Sequence, residues 1–302
     1  MRYDINFIAD KLSIPYRTQG NDDLTFEHFD AVFVARKDSL VWVSSRLDNH
    51  GEILNVCQAK IIICDEGIKA DAYCRPHQTF IQTERPQVLF MRIVKLLCGH
   101  QSRSNGGIHP TAIVSADASI GANVSIGPFA IIGACVIGDN SAVDSHSTIH
   151  DNVVIGRWVN ISSYCNIGAE GFGHIENEHG SLENMLHIGK VIIEDNVEIF
   201  PYTNVDRGTL SETRIGKETV VDRFCHIAHN SVIGRRTIIT ANVTLCGSCR
   251  VGNNCFIGVG SAIKDKVAVG DNSVIGIGSV VTKNVPPNEI WFGNPAKCHK
   301  SI

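Results

Sequence analysis

The segment Cys225-His226-Ile227-Ala228-His229-Asn230 puts a cysteine and two histidines within five positions. Three chemistries fit such a group. Thiolate and imidazole are zinc ligands. A histidine titrating near neutrality serves as a general base. A small apolar thiol is also ordinary core packing. Further on, Cys246-Gly247-Ser248-Cys249 has the paired-thiol spacing of a redox or zinc site. The element that carries these residues decides among the readings.

That element is a repeat. An aliphatic residue recurs every six positions as Ile108, Val114, Ile120, Ile126 and Ile132, then from Ile137 through Val143, Ile149, Ile155 and Ile161 to Ile167. The last run goes unbroken from Ile215 through Val221, Ile227, Ile233, Ile239 and Leu245 to Val281, often with glycine next. An even period suits strands, whose side chains alternate, and not a helix of 3.6 residues per turn. Hexad periodicity predicts a parallel β-helix, with glycine at corners that need unusual dihedrals.

Phase then sorts the cysteines and histidines. If an anchor points inward, so does the residue two before it. Cys135, Cys165, Cys225, Cys249 and Cys255 all hold that position and are expected in the core. His226 and His229 fall off the inward phase, so they face solvent or a cleft, and a zinc shared with Cys225 is not expected. Exposed polar surface is the main reading for His226.

Two segments break the period. Residues 168–187 interrupt it with a polar stretch, and residues 206–214 add four positions between Val205 and Ile215. Insertions in a solenoid leave as loops, which often carry function. Residues 1–103 lack the hexad. There "AVFVA", "LVWVSS" and "AKIIICDE" read as strands, and "ERPQVLFMRIVKLLCG" reads as an amphipathic helix with Val88, Met91, Val94 and Leu97 in register. This predicts a small α/β domain over 1–103 and a β-helix over 104–302, linked through the Ser/Gly/Asn-rich segment 99–107.

Composition narrows the class. Of 302 residues, 43% are hydrophobic and 19% charged, which describes a globular chain with a sizeable core. A formal net charge of −4 argues against a nucleic-acid partner, which would need basic patches. No apolar run reaches membrane-spanning length, and the acidic start "MRYDINFIADKL" has no apolar core of a signal peptide. Eleven cysteines in such a chain point to reduced thiols in the cytoplasm.

The repeat resembles the left-handed β-helix of the hexapeptide-repeat acyltransferases. The resemblance implies a mainly β fold in which three hexads make one triangular coil, giving about nine coils stacked at roughly 4.8 Å. Stacking then puts Gly247 one coil above His229 and, allowing for the four extra residues, Arg207 below it. A base beside an unhindered amide donor is what acyl transfer needs.

"GAEGFGH", "IGKVIIEDNVEI", "TNVDRGTLSETRIG" and "DRFCHIAHNSVIG" resemble the UDP-3-O-acylglucosamine N-acyltransferases of lipid A synthesis. The resemblance implies His229 as general base and Gly247 as oxyanion donor. It also implies an N-terminal domain that stacks a uracil on Trp42, whose other reading is a core aromatic on an edge strand. It implies a homotrimer with sites between neighbouring prisms, across which Phe172 and His174 of the 168–187 loop would reach. Asp206, Arg207 and Arg223 are candidates for holding sugar or pyrophosphate. Arg223 stands where the family usually has asparagine, and Lys266 where a second histidine is expected.

The ending "VVTKNVPPNEIWFGNPAK" resembles instead the coenzyme A site of sugar acetyltransferases. There Pro295 and Ala296 would shape a pantetheine channel, and Lys283 and Lys297, with Lys266, would meet the cofactor. The main expectation is therefore an N-acetyltransferase. It would use acetyl-CoA on the amine of a UDP- or dTDP-linked amino sugar for O-antigen or capsule. The alternative is 3-hydroxyacyl transfer from acyl carrier protein to UDP-3-O-acylglucosamine. Rivals of another class are a γ-carbonic-anhydrase-like zinc enzyme, with His174 and His179 as candidate ligands, and a non-catalytic scaffold.

Overall fold

The computed structural model describes residues 2–12, 14–98 and 106–301. Positions 99–105 of the expected linker lie outside the described residues. The chain forms two compact units, Met1–Ser102 and Arg103–Ile302.

The second unit is a left-handed parallel β-helix. Its strands are mostly two residues long, and each pairs in parallel with the equivalent strand of the next coil. Val221 pairs with Ile239, Ile227 with Leu245 and Ile233 with Val251. Three sheets of 8, 11 and 9 strands form the three faces. One core runs through the stack, with Ile126, Ile167, Ile215, Ile227, Leu245 and Val281 buried in it. Cys135, Cys165, Cys225, Cys249 and Cys255 are buried there too, as their phase requires. The first anchors are not enclosed, and Ile108 is 49% exposed.

Glycine works differently from expectation. The glycines that follow anchors are sites of close approach between coils. A Cβ on Gly234 would lie 2.6 Å from the carbonyl carbon of Gly252, so only hydrogen fits. The left-handed corners fall mainly to other residues, such as Phe224 (φ 60°), Asn230 (φ 61°), Asn242 (φ 60°) and Ser248 (φ 64°). Asparagine tolerates that region well, which explains its frequency at these corners. Along one edge the corner residues Phe129, His146, Tyr164, Tyr202 and Phe224 stack ring on ring, with centroids 4.9–5.1 Å apart.

The C-terminal segment closes the stack. Glu289–Gly293 adds in parallel to Val274–Ile275, and Ala296–Ser301 folds back antiparallel on it. Ala296 is buried in the solenoid core.

The first unit holds a five-stranded sheet in the order Arg17–Gly20, Thr79–Gln82, Ile61–Cys64, Ser39–Val43, His28–Phe29. Both faces are covered, which is why its central strands read as continuous apolar runs. Leu40, Ile61, Ile63 and Ile81 point to one core, and Val41, Val43, Ile62, Cys64 and Phe80 to the other. "AVFVA" is not a strand: Val32–Val34 is a 3-10 turn, and Phe33 and Val34 are exposed. The helix Pro86–Cys98 buries Leu89 and Ile93, while Val88 and Met91 face outward. Of the expected register, Leu97 packs against the same cluster as Leu89 and Ile93.

Candidate functional site

His229 sits at a corner between the strands His226–Ile227 and Val232–Ile233. The coils above it keep register: Ser248 N–H donates to the His229 carbonyl (2.8 Å), and Lys266 N–H to the Gly247 carbonyl (3.0 Å). The Gly247 N–H has no partner among the described residues. A Cβ on Gly247 would lie 2.6 Å from Cε1 and 2.7 Å from Nε2 of His229, so the ring lies directly under the bare Cα. Lys266 occupies the left-handed corner two coils up (φ 62°) and is exposed.

The two insertions build the walls of this corner. The first leaves through a bulge between Ile167 and Ala169 and forms the hairpin of His174–Glu176 with Leu182–Asn184. The second tucks against its return: Ile188 N–H donates to Thr209 O (2.8 Å), Gly189 N–H to Gly208 O (2.9 Å) and Lys190 N–H to Ser211 O (2.9 Å). Asn230 ties the second loop to the histidine. Its Oδ1 accepts from Thr209 N–H (2.9 Å), and its Nδ2 lies 2.9 Å from Thr209 Oγ1 and 3.0 Å from His229 Nδ1. With Oδ1 committed to Thr209, the amide nitrogen faces Nδ1 and can only donate, which favours the uncharged ring.

His187, where the first loop returns between the strands Leu182–Asn184 and Lys190–Ile193, packs against His229 in a T-shaped pair with ring centroids 4.9 Å apart. Asp206 is buried behind them and accepts from Asn204 Nδ2 (2.6 Å). His226 Nε2 lies 3.7 Å from the Asp206 carboxylate, and its Nδ1 lies 3.2 Å from Asn204 Nδ2. Burial pushes the Asp206 carboxyl up, against the pull of Asn204 and the three histidines. Burial also pushes the His229 imidazole below its usual range; His187 adds to this and Asp206 opposes it.

The other expected site residues divide. Asp206 is buried next to the histidines, with its carboxyl bonded to Asn204. Arg207 donates from Nε to Gly168 O (2.7 Å) and from Nη2 to Asp151 O (3.3 Å), so it pins the start of the first loop. Arg223 stands one corner away from His229, exposed, with its Nε 3.8 Å from Asp222. Phe172 and His174 pack ring to ring (5.1 Å) on the exposed part of the loop. Trp42 belongs to the first unit, inside the sheet and half-buried against the cluster that contains Leu89 and Ile93. Lys283, Pro295 and Lys297 are exposed around the closing hairpin. Ala296 is buried in the solenoid core.

Sequence reasoning missed three members: His187, Asn204 and Asn230. His226, read as surface, is 44% exposed and also joins the polar network. One signal for His187 was present. It stands six residues before the buried Ile193, at a phase that elsewhere holds an aliphatic anchor.

Beside the corner, a groove of about 800 Å³ is lined by the apolar Val136, Val154, Ile188 and Leu210, with Lys190 and Glu212 at hand. Ile188 follows His187 and Leu210 follows Thr209, so the groove and the histidines share the same loops. Among the described residues no group of three His, Cys, Asp or Glu is placed to hold a metal, and no helix is long and apolar enough to cross a membrane.

Comparison with known proteins places these features. Residues 212–247 match the bacterial transferase hexapeptide (six repeats) family. A UDP-3-O-acylglucosamine N-acyltransferase of Coxiella burnetii is 34% identical over 235 residues, covering 72% of this chain and 67% of its own length. One from Pseudomonas putida is 38% identical over 180 residues, covering 53% and 50%. Among solved structures, the UDP-N-acetylglucosamine acyltransferase of Campylobacter jejuni superposes with a TM-score of 0.59 at 26% identity, covering 65% of this chain and 75% of that one. The Francisella novicida enzyme of the same name gives 0.59 at 26%, covering 65% and 70%.

These findings overturn acetyl-CoA as donor. The chain aligns with N-acyltransferases of acylglucosamine, and the solved structures it superposes on are UDP-N-acetylglucosamine acyltransferases. The sequence indeed encodes an acyltransferase.

Proposed function

The chain belongs to the UDP-3-O-acylglucosamine N-acyltransferase family, and we propose that it moves an acyl chain from a carrier-protein thioester to the amine of a UDP-linked, O-acylated glucosamine, a step of the lipid A type. This replaces the short-acyl, O-antigen reading. The observation that carries the proposal is the placement of His229 directly beneath the bare Gly247. The groove on the same loops, with Val136, Val154, Ile188 and Leu210 among its polar neighbours, supports a long acyl chain over an acetyl group. The names of the relatives support UDP over dTDP. A homotrimer with clefts between prisms is part of the same reading.

In the proposed reaction the amine nitrogen attacks the thioester carbonyl carbon, and the carbonyl electrons move onto oxygen. The Gly247 N–H donates to that oxyanion. His229 takes the proton released by the nitrogen. Collapse of the intermediate restores the carbonyl and breaks the C–S bond, and the thiolate takes the proton back from His229. For Nε2 to accept a proton, the neutral ring must carry its hydrogen on Nδ1. Asn230 then turns its amide over, exchanging its bond with Thr209 N–H for one from Nδ1.

A panel of acyl carrier protein thioesters of increasing chain length, with UDP-3-O-acylglucosamine as acceptor, tests the proposal. Turnover with long 3-hydroxyacyl donors is expected, falling about 10²–10⁴-fold in His229→Ala. Undiminished transfer in that variant would remove the base assignment, and turnover confined to the shortest thioesters would remove the long-chain reading.

A further inference from the structure

We propose that His187 is a second substrate-contacting histidine, which hydrogen-bonds the amino-sugar acceptor beside the amine that His229 deprotonates. This rests on the acyl-transfer reading above. His187 is 4% exposed, and neither ring nitrogen has a hydrogen-bond partner among the described residues. Buried polar groups are almost always paired, so an orphaned pair of ring nitrogens marks a place where another molecule completes the bonding. The ring is not free to look elsewhere. Its backbone N–H donates to Glu170 Oε1 (3.3 Å), and its ring packs against that of His229 in a T-shaped arrangement.

The loop over the two histidines is kept thin. A Cβ on Gly171 would lie 2.9 Å from Nε2 and Cδ2 of His187 and 2.9 Å from Cβ of His229. A Cβ on Gly173 would lie 3.1 Å from Cε1 of His187. Two glycines spaced by one residue therefore let the backbone close down on the His187 ring and on the root of the His229 side chain. A neutral imidazole offers one donor and one acceptor. That pair suits a sugar hydroxyl, which both accepts and donates, next to an amine. A thioester carbonyl offers no donor and would leave half of the histidine unpaired.

The test measures His187→Leu and His187→Gln by steady-state kinetics, varying acceptor and donor separately, together with thermal midpoints. His187→Leu should raise the acceptor KM about tenfold or more, the worth of a good hydrogen bond, and leave the donor KM in place. Its thermal midpoint should hold or rise, because an apolar side chain removes an unpaired buried polar group. His187→Gln, which keeps one donor and one acceptor, should recover most of the acceptor affinity. An unchanged acceptor KM in His187→Leu overturns the inference. So does a lowered midpoint with both KM values raised and no recovery in His187→Gln, since that pattern means a structural histidine. Wild-type protein that acylates no amino sugar would instead defeat the function reading, and this inference with it.

Discussion

The His229 ring fills the space that a side chain on residue 247 would need, with 2.6 Å between its Cε1 and the position of a Cβ on Gly247. Gly247→Ala should therefore push the ring out of place while the coil stays intact. A fall in kcat of about 10²-fold or more is expected, the scale seen when an oxyanion-site interaction is lost. Stability should drop by only about 1–3 kcal/mol, the ordinary cost of overpacking. Full activity in Gly247→Ala would show that neither the ring position nor the open amide matters.

Burial and His187 hold the His229 imidazole below its usual value of 6.5, with Asp206 pulling the other way. A base acts when uncharged, so the acidic limb of kcat/KM should fall below that value. Asp206→Asn removes the group that favours the charged ring, and the limb should move lower still. The folded state prefers the neutral ring, so this contribution to stability is present above the unfolded value and is lost as pH falls through the folded one. A pH–rate profile with its acidic limb above the range of free histidine would contradict this environment.

Asn230 stands between Thr209 and Nδ1 of His229. Asn230→Asp puts a carboxylate where it can accept both from Thr209 N–H and from an Nδ1–H. It should raise the pKa of His229 and shift the acidic limb to higher pH, while keeping transfer above that limit. Asn230→Ala should lose activity without that shift. If the two variants give the same profile, the amide does not govern the tautomer.

The core thiols should be inert. Burial pushes Cys135, Cys165 and Cys225 up to about 11 and Cys249 up to about 12. Native alkylation near pH 8, followed by mass spectrometry, should label the exposed Cys98 and Cys298 first and leave those four unmodified until unfolding. Rapid labelling of Cys225 in the native protein would mean that the hexad phase is misread.

What could be read in the sequence was what the period controls. Cys225 and His229 are four residues apart, yet the alternation of a strand separates them into core and corner, and the structure keeps them so. Gly247 over His229 followed from the coil length alone. Beyond the period the reading weakened. Arg207 was placed under His229 by counting, but its guanidinium turns to the carbonyls of Gly168 and Asp151, a choice set by loop contacts. His187 lies at the return of an insertion, where spacing says nothing of its neighbours. Asn230 was visible only as the last letter of a motif, since its bond to Thr209 joins two loops. Met91 and Leu89 in the first unit show the same limit. Both belong to apolar stripes, and only the sheet decides which one is buried.

The repeat is six residues in the sequence but eighteen in space, as the pairing of Ile227 with Leu245 records. The two lengths are not interchangeable as units of change. Loss of one hexad below His229 would turn every coil above the deletion by one face, carrying the histidine corner away from the loop that begins at Gly168. Loss of three consecutive hexads would shorten the stack and leave every corner on its own edge. The whole coil is therefore the smallest piece that this architecture can gain or shed while keeping its chemistry aligned.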